Sequence, residues 1–146
     1  MEIQNYTKLF ANGKGLWIVI VLGIVLLLLP NLLRDSSYAI GNEGYYHLDI
    51  AKDVVEGKSY ELLGWSYLIA KVSDFGLTLE ASANVLLLLL GVLFILLFYL
   101  ILKDIIKERV LALLVLIFSP AFIYLFSVSN RFAVPMVLGL LCCYLL

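Results

Sequence analysis

VLLLLLGVLFILLFYLIL, residues 85–102, decides the fold: across it Tyr99 is the one polar side chain, and no residue is charged. A helix needs about 20 apolar residues, each rising about 1.5 Å, to cross the roughly 30 Å hydrocarbon layer. The stretch is therefore read as a membrane span, since in hydrocarbon a helix satisfies its own backbone N–H and C=O groups. To its N-terminal side, Leu16–Leu33 reads as an earlier span. To its C-terminal side come Val110–Val128, a third, and Phe132–Leu146, a fourth that runs off the end of the chain. Ser119 and Pro120 interrupt the third, and the missing proline N–H predicts a kink there. The composition agrees: 64% of the 146 residues are hydrophobic and the mean hydropathy is +1.07, well outside the range of soluble domains. The expected fold is all-α, a polytopic transmembrane helix bundle of about four spans, the last incomplete. On that reading residues 1–146 are the N-terminal part of a single transmembrane domain in a longer protein.

Lysine and arginine are retained on the cytoplasmic side during insertion, so their placement sets the expected orientation. Lys8 and Lys14 precede the first span, and Lys103, Lys107 and Arg109 crowd the link between the second and third. Both segments are expected in the cytoplasm, with the loop 34–84 and the short segment Ser127–Arg131 on the outer face. Loop 34–84 holds eight carboxylates against four cations, in keeping with that side. A net charge of -1 and the lack of a basic patch give no footprint for nucleic acid. Lys8 and Lys14 before an apolar run, with Ser37-Tyr38-Ala39 after it, also fit a cleaved leader. The run exceeds the roughly 7–15 apolar residues of leaders, however, so an anchor is expected. Cys142 and Cys143 are adjacent within an apolar run and suit neither a disulfide framework nor metal-ligand spacing. The first dozen residues, with Tyr6, Leu9 and Phe10, read as a short interfacial helix.

Within the outer loop, Asn42–Gly57 reads as a helix with Asn42 as N-cap and Gly57 as its stop. At about 100° per residue, Leu48, Ile50, Ala51, Val54 and Val55 form an apolar arc, with Tyr46, Asp49, Lys52, Asp53 and Glu56 opposite. His47 falls in the middle of the arc, and Glu43 lies one turn earlier on the same side. Tyr60–Ser73 forms a second short helix, apolar through Leu62, Leu63, Trp65, Leu68, Ile69 and Val72. Its Tyr60, Trp65 and Tyr67 suit the headgroup level. Asp74-Phe75-Gly76 breaks it, and Thr78 caps the next helix with Glu80 in the first turn.

Glu43 has two readings: complement to the helix dipole, or a carboxylate that ligates a divalent cation or takes a proton beside a phosphate-linked donor. His47 is either a hydrogen-bonded packing residue or a ligand-contacting one. Asp49 and Asp53 sit one turn apart with Lys52 between them, which a solvated helix surface explains. Arg131 is placed to hold a phosphate or to snorkel at a span end, and Asn130 to cap the helix after it.

The run Asn42-Glu43-Gly44-Tyr45-Tyr46-His47, followed by Ala51-Lys52-Asp53 and Glu56-Gly57, resembles the first outer loop of C-type (GT-C) membrane glycosyltransferases. It looks closest to the acidic-Gly-Tyr-Tyr motif of the oligosaccharyltransferase catalytic subunits. The plan of spans, the two short loop helices, the basic link and Ser119-Pro120 are similar too. The resemblance implies an inverting transferase at the outer membrane face that takes a sugar from a polyprenyl-phosphate-linked donor. Glu43 matches the family's acidic position, implying a catalytic base or a ligand to Mg or Mn, with His47 and Arg131 as contacts to the donor. The chain differs from the oligosaccharyltransferase pattern in carrying glutamate for the usual aspartate and no acidic pair in Ser127–Arg131. The alternative expectation is a non-enzymatic membrane subunit or truncated relic that packs against a partner. A transporter fits less well, because ionisable groups are scarce within the spans.

Overall fold

The computed structural model describes residues 14–33, 42–58, 64–103, 105–127 and 131–146, which form seven helices and, among the described residues, no strand. These are α1 (Lys14–Leu33), α2 (Asn42–Val55), α3 (Gly64–Ser73), α4 (Leu79–Leu102), α5 (Arg109–Ile117), α6 (Pro120–Ser127) and α7 (Ala133–Leu145). Two of them, α1 and α4, are long and apolar enough to cross a membrane, and α5 with α6 makes a third if the bent pair is one span. The chain is thus an all-helical protein of membrane-spanning character.

Glycine lets α1 and α4 approach closely. A Cβ built at Gly23 would lie 2.8 Å from Ile95 Cδ1, and one at Gly91 would lie 2.6 Å from Leu27 Cδ1. Residue numbers that rise along α1 fall along α4, so the two helices run antiparallel. Small residues are the usual means of such approach in lipid, where apolar burial drives helices together far less than in water. Around this crossing α5 and α6 pack on both helices. Phe94, Phe122 and Phe126 form an aromatic cluster, with ring centroids 5.2 Å apart for Phe94–Phe126 and 5.1 Å for Phe122–Phe126. Exposed Trp17, Ile18, Val21 and Val25 on α1, with Leu89 and Leu93 on α4, make the outer surface apolar, as lipid contact requires.

The interruption at Ser119-Pro120 is a break between two helices, sharper than a kink. α5 and α6 meet at 63°. Ser119 Oγ accepts from Phe122 N at 3.2 Å, and Pro120 takes the first helical position, where a missing N–H costs nothing. Ser-Pro therefore starts a new helix in place of bending the old one. Phe132–Leu146, expected as a fourth span, holds the 13-residue α7, which at about 1.5 Å per residue is shorter than the hydrocarbon layer. α7 packs along α4, burying Ala133 and Val137 and leaving the rest of its apolar surface largely open. The interfacial helix expected in the first dozen residues, the segment Ser37-Tyr38-Ala39 and the cap at Asn130 lie outside the described residues.

Candidate functional site

The polar residues of the candidate site ride on α2 and α3, which pack against each other and onto α4. Glycine closes α2. Lys58 N donates to Asp53 O at 3.0 Å and Gly57 N to Val54 O at 3.1 Å, a paired closure that needs the left-handed conformation of Gly57, φ 76°. At the other end of the hairpin, Thr78 Oγ1 accepts from Ala81 N at 3.2 Å, the cap expected for α4. The first turns of α4 then bury Ser82 and Ala83, two small residues.

The buried face of α2 is Gly44, His47, Leu48 and Ala51, the helical spacing that the apolar arc predicts. Val55, also expected on the arc, is exposed, because it stands at the end of the helix. His47 is 3% exposed, and its Nδ1 lies 3.0 Å from Ser66 Oγ, a side chain with no exposure at all. The imidazole and the hydroxyl thus tie α2 to α3 inside the hairpin, and a polar group buried this deeply must be so paired to avoid a desolvation penalty. Tyr46 packs edge-on to the His47 ring at 5.5 Å while remaining largely exposed on the other side.

Ser66 was not anticipated from the sequence. Its one signal is position: it shares the buried stripe of Trp65, Ile69 and Ala70, while Leu68, expected on an apolar surface, is partly exposed. We expect Ser66→Ala to cost about 1 kcal/mol, because it removes a buried hydrogen bond to the His47 ring. A double-mutant cycle with His47→Leu, read by thermal unfolding in detergent, should then show the two changes costing less together than the sum of each alone.

Asp49, Asp53 and Arg131 are placed differently. Asp49 is exposed on α2, and Asp53 accepts from Lys58 Nζ at 3.0 Å, with Glu56 on the same ammonium at 2.7 Å. The hydrogen bond to Glu56, then that to Asp53, holds the Lys58 ammonium above the ordinary lysine range. A raised lysine stabilises the fold fully below its ordinary value and loses that effect as pH climbs through the raised one, so this bracket is intact at neutral pH. Lys71 is raised in the same sense by Asp74, 3.2 Å away. Arg131, before α7, is exposed with its guanidinium 5.2 Å from the ring centroid of Phe132. Glu43 belongs to the first turn of α2, but its side chain lies outside the described residues.

Among the described residues no three of His, Cys, Asp and Glu gather as a metal site would need. Of the carboxylates that α2 shows, Asp53 is paired with Lys58. A second polar spot, also missed in the sequence, lies where α1, α4 and α6 meet. There Asn31, Asn84 and Ser127 line a cleft with Leu27, Leu28, Leu87, Leu88 and Phe126. Its room of about 10 Å³ admits about one water molecule. No family model matches the chain, and no curated protein or solved structure is detectably similar to it.

Proposed function

We propose that this chain is the N-terminal part of a multi-pass C-type glycosyltransferase that draws its sugar from a polyprenyl-phosphate-linked donor at the outer membrane face. The observation that carries the reading is the α2–α3 hairpin, fixed by the His47–Ser66 bond and packed on the α4 helix. The hairpin supports the reading because a loop that serves a lipid-linked substrate needs a rigid mount. In this reading the spans are about four, the last incomplete, loop 34–84 is external and the N-terminus is cytoplasmic. The antiparallel α1 and α4 support that orientation, since they put Lys14 and Lys103 at the same end of the bundle.

The chemistry assigned to the site is an inverting displacement. An acceptor nucleophile attacks C1 of the sugar, Glu43 takes its proton, and the bond from C1 to the phosphate oxygen breaks with the electron pair leaving on polyprenyl phosphate. Arg131 is assigned to the charge of the departing phosphate, and His47 to the scaffold beneath Glu43. The test is transfer of a labelled sugar from synthetic polyprenyl-phosphate donors by the full-length protein in proteoliposomes. Turnover that requires the phosphate-linked donor supports the reading, and a protein that turns over no such donor removes it. The second reading is a non-enzymatic subunit, in which the open apolar surface of α7 packs against partner helices.

A further inference from the structure

We infer that the turn between α3 and α4 is a membrane anchor, with Phe75 inserted into the lipid interface beside the entry point of α4. Phe75 is 86% exposed, the most open aromatic ring among the described residues, and Leu77 next to it is 41% exposed. Nothing loose holds them out. Phe75 N donates to Val72 O at 3.2 Å and Gly76 N to Ser73 O at 2.9 Å, while Gly76 adopts φ 87°, a conformation that side chains other than glycine rarely take. A tight turn thus presents two apolar side chains outward on a fixed backbone.

The height of the turn points to lipid as the occupant. α4 has 24 residues, about 36 Å at a 1.5 Å rise, so roughly one turn of it extends beyond a 30 Å hydrocarbon layer. From Ala81 to Leu102 it carries no charge, whereas Glu80 stands in its first turn. The boundary between hydrocarbon and headgroups therefore falls near that first turn, and Phe75 and Leu77 precede it by only a few residues. The charges beside the ring are neutralised locally: Lys71 pairs with Asp74 at 3.2 Å and sits 5.8 Å from the centroid of the Tyr67 ring. An aromatic tip flanked by a paired cation and a tyrosine matches the chemistry of the headgroup zone, where aromatic rings collect and lysines reach outward. With one end tied by His47 and Ser66 and the other moored by Phe75, the hairpin is held at a set height above the hydrocarbon.

This inference is independent of the glycosyltransferase reading and is tested without an activity. Phe75→Trp, in a Trp17→Phe background that keeps the buried Trp65, is reconstituted in phosphatidylcholine vesicles, and the emission of the background is subtracted. The added emission should fall at least about two-fold when the lipid is brominated near the carbonyl end of its chains and should resist aqueous acrylamide. Glu56→Trp in the same background, on the solvated end of α2, should show the reverse pattern. Acrylamide quenching at position 75 would overturn the inference, and so would shielding from both quenchers, which would mean that protein covers the turn.

Discussion

Glu43→Gln is expected to lower sugar transfer by about a hundredfold or more while leaving thermal unfolding nearly unchanged, the loss typical of removing a general base. Glutamine keeps the length and planarity of the side chain and removes its charge and basicity. The rival account of Glu43, a carboxylate that merely complements the positive end of α2, makes the opposite forecast. Loss of a dipole partner in a first turn costs about 0.3–1 kcal/mol of stability and has no reason to touch transfer. Both numbers come from one pair of proteoliposome preparations, with labelled donor for the rate and a melt in detergent for stability. Transfer that survives the substitution would take the chemistry away from Glu43.

What the sequence made legible follows from how local each cause is. An uncharged apolar run long enough to cross hydrocarbon is its own explanation, so α1 and α4 could be read directly. Caps are equally local, and Thr78 before α4 and Gly57 after α2 act as read. Ser119-Pro120 marks an interruption in the sequence, but a proline inside an apolar run suggests a bend, and the serine bond to Phe122 makes it a fresh start at 63°. Distant pairings were beyond reach. Ser66 meets His47 from 19 residues away, so neither residue announces the other. The contacts of Gly23 with Ile95 and of Gly91 with Leu27 require the register of two antiparallel helices, which no local pattern encodes. Asn31, Asn84 and Ser127 converge for the same reason, each from a different helix.

Gly91→Val is expected to destabilise the protein by about 3 kcal/mol, more than truncating the most buried aromatic of the core, which reverses the order usual in water. Phe126 is 1% exposed and meets Phe94 and Phe122, and in a soluble core Phe→Ala costs about 3–5 kcal/mol. Much of that cost is the return of apolar surface to water. In a bilayer the separated helices meet lipid tails as apolar as the core, so that part falls away and Phe126→Ala loses mainly its packing contacts. Steric overlap, by contrast, does not depend on the surrounding medium. A Cβ at Gly91 would stand 2.6 Å from Leu27 Cδ1 and 3.4 Å from Phe126 Cβ, so Leu27 must move first. Alanine leaves an escape, because the Leu27 methyl is the end of a flexible chain. Valine adds two branched carbons with few rotamers, and Leu27, only 3% exposed, has little room to yield. The strain then pushes α1 away from α4 and loosens α5 and α6, which pack on both. Unfolding of the three variants in mixed micelles of rising denaturing-detergent fraction gives the order. Adding Leu27→Ala to Gly91→Val should restore more than half of the loss, because it opens the space that valine needs, while the same addition to Phe126→Ala should only deepen the deficit. A Gly91→Val protein as stable as the parent would mean that α1 and α4 do not cross at this glycine.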